Sequence, residues 1–286
     1  MSVFMQQFAN GVNLAALLLI AALGLVIIFG LMNVINMAHG ELIMIGAYAT
    51  YFANTVLDLP FWVAMIIAFL VSAAVGILIE VIIIKRLYSK PTETLLATFA
   101  LSIIFVQLVQ LIFSPENKYV AMPIKGILKV GTVSIPNYNL FIIAVALSIL
   151  AMTGVLLLKT KFGKKMRAVT QNRQMVECLG IATSKVDTWT FAYGAGLAGL
   201  AGAVIAPINS VSPTMGGAYL TDSFMTVVVG GVQSIIGTAL GSGIVGESRT
   251  ILAGFSNEVF AKILVFLIII VIIRFKPEGL FARERR

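Results

Sequence analysis

The sequence predicts an all-α protein that crosses a membrane several times, and three observations lead to this fold class. Hydrophobic residues make up 59% of the chain and charged residues only 11%. A water-soluble domain carries roughly a quarter of its residues as charged side chains, so most of this exterior must face lipid. The apolar residues also form long runs, and most basic residues are confined to a few short segments between those runs.

A helix needs about 20 apolar residues to span the hydrocarbon core of a bilayer. In chain order, the candidate segments are Val12–Met32, Val34–Val56, Phe61–Ile84, Leu95–Phe113, Leu140–Leu158, Thr190–Ile208, Phe224–Gly254 and Val259–Ile273. Phe224–Gly254 is rich in glycine, too long for one span and too short for two, so we expect short or broken helices there. The segments predict roughly seven to nine crossings, in a single membrane domain that covers residues 1–286.

The distribution of basic residues predicts the orientation. No Lys or Arg precedes Lys85, and most of the rest form three clusters, at residues 85–90, 159–185 and 274–286. Short basic loops beside apolar spans stay in the cytoplasm. Three spans precede Lys85, so we expect the N-terminus outside, the C-terminus in the cytoplasm, and an outer loop at Ser114–Asn139 with a strand pair around Gly126–Val133. The positive charge is thus a topology signal that involves membrane lipid, and we expect no nucleic-acid partner.

Polar residues interrupt the second apolar run at Asn33, Asn36, His39 and Glu41. Polar groups at bilayer depth are costly and usually face a bundle interior. On a continuous helix, Asn33, Asn36 and Gly40 fall near one face, with His39 beside it. Alternatively, Gly40 breaks the helix and places Glu41 in the first turn of the next piece. We favour a lining of a solute pathway; hydrogen bonds that hold helices together are the alternative.

A structured segment is predicted within the second basic cluster, at residues 159–187. Four apolar residues share one face at helical spacing, namely Met166, Val169, Val176 and Leu179. Gly180 is suited to end this helix, and Ser184-x-x-Asp187 matches a capping box that opens the next span. The segment is either a docking helix for a cytoplasmic partner or a helix that lies on the membrane surface.

Small residues recur at a spacing of four, which allows helix backbones to approach closely. They are Ala195, Gly199 and Ala203, then Ala198, Gly202 and Ala206, and finally Gly237 and Gly241. We expect internal packing at these positions, with a subunit interface as the alternative.

Isolated charges are expected to have structural roles. Glu258 and Lys262 have the spacing of an ion pair on one helix, Asp222 precedes the Gly-rich segment and could cap it, and Glu80 is expected at the membrane interface.

The sequence carries no motif for catalysis or nucleotide binding. It contains one histidine and one cysteine, which excludes a zinc site of the usual kind. It also lacks the Gly-x-x-x-x-Gly-Lys-Ser/Thr and Gly-x-Ser-x-Gly patterns. We therefore expect no enzyme activity, cofactor or metal, and if ATP drives this protein, another chain must bind it.

Three segments resemble a known family. Residues 30–48 read GLMNVINMAHGELIMIGAY, residues 167–181 read RAVTQNRQMVECLGI, and residues 274–281 read RFKPEGLF. These runs resemble the permease family of ABC importers for branched-chain amino acids and urea, in the same order and over essentially the whole chain. Met32-Asn33 is a minor departure from its pattern.

The resemblance implies an assembly in a bacterial inner membrane. Two permease subunits, identical or different, form the pore. Two cytoplasmic ABC ATPases dock on the permeases, and an extracytoplasmic solute-binding protein delivers the solute. Residues 159–187 look like the coupling segment, in which the expected ATPase-docking residues are Met166, Arg167, Val169, Asn172, Arg173, Val176, Leu179 and Gly180.

The amino-acid sequence of residues 36–48 and 167–173 is similar to that of the urea-type members, so urea or a short-chain amide is the first expectation for the solute. Branched-chain amino acids are the alternative, and a stand-alone channel or ion-coupled carrier is a third hypothesis. A neutral solute needs amide and hydroxyl partners, which Asn33, Asn36 and His39 could supply. A zwitterion requires charged groups or helix ends, for which the sequence offers Glu41 and broken helices.

Overall fold

The computed structural model describes residues 2–88, 90–130, 133–276 and 278–281, which form a helical bundle with one small hairpin. The α-helices of this part of the chain are α1 Ser2–Met32, α2 His39–Tyr51, α3 Phe61–Ile82, α4 Pro91–Phe113, α5 Asn137–Lys159, α6 Lys161–Gln171, α7 Arg173–Cys178, α8 Thr183–Ile205, α9 Met215–Gly230, α10 Ile235–Phe255 and α11 Glu258–Phe275. A π-helical turn at Phe52–Val56 extends α2, and a 3₁₀ turn at Ile84–Arg86 follows α3. The predicted all-α membrane fold is confirmed.

Five of the described helices, α1, α3, α4, α5 and α8, are long and apolar enough to cross a membrane. The pair α9 and α10 meets the same criteria together and bends by 117° between its two helices, which confirms the broken geometry predicted for the Gly-rich segment. α2 is shorter, and α11 carries the charges of Glu258, Lys262 and Arg274. α2 and α11 do not meet these criteria, so the described residues give five spans, or six with the bent pair, and the seven to nine crossings remain a prediction.

The two ends of the bundle are identified by the contacts of α1. At one end lies an antiparallel hairpin of β1, Ile127–Val130, and β2, Val133–Pro136, close to the predicted strand pair. The side chain of Gln6 in α1 exchanges two hydrogen bonds with the backbone of Ser134 in β2, at 3.0 and 3.1 Å. At the other end, the Thr170 hydroxyl of α6 donates to the Leu31 carbonyl of α1 at 2.7 Å. We call these the hairpin end and the α6–α7 end.

The described parts of all three basic clusters lie at the α6–α7 end. The first cluster surrounds Tyr88, whose ring lies under the guanidinium of Arg173 in α7. The tail that follows α11 returns to the α9–α10 turn, where the Leu280 amide donates to the Val229 carbonyl at 2.9 Å, and this turn packs on the last turn of α1. The sequence prediction that the three clusters share one side is therefore consistent with the fold.

Small residues at the helix crossings pack inside the bundle. α8 lies at its centre and contacts α1, α2 and α3. A side chain at Gly199 would meet Ser72 of α3, and one at Gly202 would meet the backbone of α2. Gly237 and Gly241 of α10 lie against the backbone of α9 in the same way. The internal-packing interpretation of these residues is confirmed.

The isolated charges near the hairpin end are paired differently from the prediction. Asp222 lies within α9, so it does not cap the Gly-rich segment, and it accepts from Arg249 of α10 at 3.0 Å and from Lys262 of α11 at 2.7 Å. Glu258 pairs with Arg249 at 2.8 Å. The predicted pair of Glu258 with Lys262 is therefore wrong, because the tertiary fold brings a carboxylate of α9 closer to the lysine.

Candidate functional site

The chain between α1 and α2 is non-helical over residues 33–38. The predicted shared helical face of Asn33, Asn36 and Gly40 is therefore wrong, because α1 ends at Met32. Asn33 takes a left-handed backbone conformation, with φ of 55°, and its side chain is exposed. It follows α1 at the α6–α7 end and is exposed, whereas the other three predicted pathway residues are buried.

The second helix begins inside the bundle, at His39. The fully buried His39 ring places Nε2 3.0 Å from the carbonyl oxygen of Ala21, in the middle of α1. Because a carbonyl oxygen only accepts, Nε2 carries the hydrogen. Nδ1 is then an acceptor, and it is buried without a partner among the described residues. The break places Glu41 in the first turn of α2, as the second alternative predicted.

Asn36 holds the turn that leads into α2. Its side-chain oxygen accepts from the Ala38 amide at 3.0 Å, and its carbonyl accepts from the His39 amide at 3.3 Å. These bonds satisfy two of the amides that a helix start leaves without intrahelical partners. The Nδ2 group of Asn36 is buried, and it lacks a hydrogen-bond partner in the described part of the chain.

Glu41 lies where α2, α4 and α9 meet. One carboxylate oxygen accepts from the Ser102 hydroxyl of α4 at 2.6 Å. The other oxygen is buried with no partner within the described residues, and it faces Gly216 at the start of α9. Gly40 and Gly216 are in backbone contact, so the first turns of α2 and α9 cross without intervening side chains.

These three side chains form what we call the break site: Asn36, His39 and Glu41. Each is at most 4% exposed, and each keeps one polar atom unpaired among the described residues. Buried polar groups are nearly always paired in folded proteins, so such a cluster is a candidate to bind a polar solute. The donors are the Asn36 amide and the positive end of α2, and the acceptors are Glu41 and His39.

The predicted docking segment is two helices, not one. Asn172 interrupts it, and its side chain accepts from the Met175 amide at 3.0 Å and so caps α7. Gly180 follows α7 with φ of 77°, which confirms it as the stop. α8 begins at Thr183 without a side-chain cap, so the predicted capping box is wrong.

The break at Asn172 rearranges the predicted apolar stripe. Met166 and Val176 are only 2% and 5% exposed and face the bundle, and Val169 is partly buried. By contrast, Leu179 is 71% exposed, as docking requires. Met175, which the assumption of one continuous helix missed, is 59% exposed beside it. Arg167 is exposed on α6, whereas Arg173 turns toward α8.

Comparisons with known proteins give the family. The profile described as "Branched-chain amino acid transport system / permease component" matches residues 7–273. The permease LivH of Salmonella typhimurium is 27% identical over 98% of this chain and 96% of its own. BraD of Pseudomonas aeruginosa is 25% identical with the same coverage, and a probable LivH of Methanocaldococcus jannaschii is 26% identical over 92% of this chain and 88% of its own. No solved structure matches. With the bundle and its broken helices, this match over nearly the whole length makes the chain a member of the branched-chain amino acid transport system permease family.

Proposed function

We propose that this chain is the permease subunit of an ATP-driven importer and that its solutes are leucine, isoleucine and valine. Its relatives are named as permeases for high-affinity branched-chain amino acid transport. These names favour the alternative solute over urea or a short-chain amide, which was the first expectation.

The observation that carries this proposal is the break site. A zwitterionic amino acid presents a carboxylate and an ammonium group. The start of α2 and the unpaired Asn36 amide suit the carboxylate, and the unpaired Glu41 oxygen suits the ammonium group. The amide groups that would favour urea are fewer than expected, because Asn33 is exposed and the oxygen of Asn36 caps the turn.

The proposed assembly has the α6–α7 end in the cytoplasm. Basic residues at that end support this orientation, which places the N-terminus and the hairpin outside. Separate ABC ATPases dock on Met175 and Leu179, a second permease subunit completes the pore, and an extracytoplasmic binding protein delivers the amino acid at the hairpin end.

The first test is uptake at low micromolar concentration in cells with and without this gene. We expect deletion to remove uptake of labelled leucine and to leave labelled urea unaffected. Loss of urea uptake alone, insensitive to excess leucine, would refute the amino-acid proposal. If neither solute changes, the importer proposal itself is wrong. Leucine uptake that continues without ATP would instead indicate a stand-alone channel or carrier.

A second prediction concerns the charge of Glu41. We expect Glu41→Gln to lower leucine uptake by about tenfold or more, because a hydrogen bond to a charged group contributes ~1.5–3 kcal/mol. The amount of protein in the membrane should stay near the wild-type level, since glutamine still accepts from Ser102. Uptake of labelled leucine, normalised to the amount of the chain in the membrane, measures the effect.

Glu247→Gln is the matched control. This carboxylate also has a buried oxygen with no partner among the described residues, but it lies on α10 against Gly11 of α1, away from the break site. Equal uptake by the two variants would show that Glu41 does not bind the ammonium group.

A further inference from the structure

Glu80, near the end of α3, is a buried carboxylate that neither the break site nor the docking surface uses. The sequence places it at the membrane interface, but the structure buries it completely. One oxygen accepts from the Tyr88 hydroxyl at 3.0 Å and the other from the Thr188 hydroxyl of α8 at 2.6 Å. A buried carboxylate is tolerated when hydrogen bonds satisfy its oxygens, so Glu80 ties α3 to α8 and to the α3–α4 connection.

Arg173, the first residue of α7, reaches the same place from the other side. Its guanidinium donates to Asp187 of α8 at 2.6 Å, and the Asp187 side chain is 5% exposed. The same guanidinium lies 4.9 Å from the centre of the Tyr88 ring. Arginine over an aromatic face is attracted to it, so Tyr88 is held between Arg173 and Glu80. We call Glu80, Tyr88, Arg173, Asp187 and Thr188 the coupling joint.

Tyr88 is the hydrogen-bond donor in its contact with Glu80. Burial raises the pKa of Tyr88, and the negative charges of Asp187 and Glu80 raise it further. The phenol therefore keeps its proton and serves as the donor to Glu80.

A second set of contacts joins α7 to the start of α8. Glu177 pairs with Arg173 at 3.3 Å, one turn away on the same helix, and accepts from the Thr183 hydroxyl at 2.6 Å. A helix of six residues is not stable by itself, so these bonds to the start of α8 hold its shape. Two sets of contacts thus tie α7 to α8, one through Glu177 and Thr183 and one through Arg173 and Asp187.

The joined helices α3 and α8 also pack against α2. α3 and α8 pack along each other, and Ser72 of α3 donates to the Leu42 carbonyl of α2 at 3.2 Å. Gly46 of α2 lies against Gly199 of α8. A displacement of α3 and α8 therefore moves the helix that begins at the break site.

We propose that the coupling joint transmits motion of the docked ATPase from α7 to α3 and α8, with Glu80 as its central positioning residue. The proposal rests on the proposed function and adds the route between the ATPase surface and the solute site. It distinguishes the joint from the docking surface, because the joint acts after the ATPase has bound.

The test uses the full complex of this chain with its partner permease, ATPases and binding protein, reconstituted in lipid vesicles. Three quantities are measured, namely the ATPase that co-purifies, the ATP hydrolysed, and the labelled leucine taken up.

The variants are Glu80→Gln and Tyr88→Phe. Tyr88→Phe removes only a hydroxyl group and keeps the ring under Arg173, so it decides the question even if Glu80→Gln fails to fold. Lys185→Gln is the control, since Lys185 is exposed on the first turn of α8 and makes no ion pair among the described residues.

We expect both variants to retain the ATPase and its hydrolysis. Leucine taken up per ATP should fall about tenfold for Glu80→Gln, which corresponds to ~1.4 kcal/mol, and by about threefold for Tyr88→Phe, which loses one hydrogen bond. Lys185→Gln should match the wild type. An unchanged ratio in Tyr88→Phe overturns the proposal, as does dissociation of the ATPase, which would make the joint part of the docking surface. A wild-type complex that takes up no leucine would instead refute the proposed solute.

Discussion

We expect a single methyl group at Gly40 to remove most of the folded protein from the membrane. In Gly40→Ala the new carbon would overlap the carbonyl of Gly216 and lie 3.0 Å from Cβ of Leu220. A backbone carbonyl cannot rotate away as a side chain can, so α2 and α9 must separate. Overpacking costs ~1–3 kcal/mol or more, which is a large part of a typical net stability of about 5–15 kcal/mol. Yield of monodisperse protein in detergent and its Tm measure the effect.

Gly217→Ala is the matched control for this prediction. Gly217 follows Gly216 in α9, but a side chain there meets nothing within 4 Å among the described residues. Alanine favours a helix over glycine by up to ~1 kcal/mol, so this variant should be as stable as the wild type or slightly more so. If the two variants give the same yield and Tm, the close crossing of α2 and α9 is not present in the membrane.

We expect Leu179→Asp to abolish leucine uptake while the protein still reaches the membrane. Leu179 is 71% exposed after the end of α7, so aspartate is solvated in the isolated chain and costs little stability. On the proposed docking surface, the same charge would lie against the ATPase without a partner. Central residues of an interface contribute ~2 kcal/mol or more, so ATPase binding should weaken by about thirtyfold or more. Co-purification of the ATPase with the tagged chain measures this.

Met166→Asp should give the opposite pattern. Met166 is 2% exposed and belongs to the hydrophobic core, so an unpaired carboxylate there destabilises the fold. The membrane level of the chain should fall, together with uptake. Normal uptake and ATPase binding in Leu179→Asp would contradict the docking surface assigned to α7.

Much of the fold follows from local composition. Apolar runs specify the membrane helices because each run must satisfy its backbone polar groups within one segment. The helix break near Gly40, the strand pair, the stop at Gly180 and the close packing at Gly199 all follow from short patterns with a direct physical cause. The family, too, is indicated by the amino-acid sequences of three short segments, residues 30–48, 167–181 and 274–281.

The candidate site follows from the sequence less completely. Asn36, His39 and Glu41 are predicted correctly as buried polar residues, but Asn33 joins them only on the assumption that α1 continues. In an apolar run, the point where a helix ends depends on its neighbours. Here the carbonyl of Ala21 holds His39, and no local pattern reveals that contact.

The same dependence on neighbouring helices explains why residues 159–187 are predicted as one helix and form two. Met166, Val169, Val176 and Leu179 have helical spacing, but the first two lie in α6, Val176 lies in α7 beyond the interruption at Asn172, and Leu179 follows the end of α7. A short interruption of a helix changes the direction in which all later side chains point. Spacing alone therefore could not show which apolar residues face the bundle.

The sequence alone predicts the class of protein and the order of its helices. It also predicts that the basic clusters lie on one side of the membrane, and it indicates the family. These properties depend on hydrophobicity and charge, which each segment carries independently of the others. Packing alone establishes which polar groups remain unpaired, which apolar residues are exposed for a partner, and that Glu80 joins α3 to α8. Those properties are relations between segments distant in the chain, and they exist only after α1, α3, α7 and α8 have packed together.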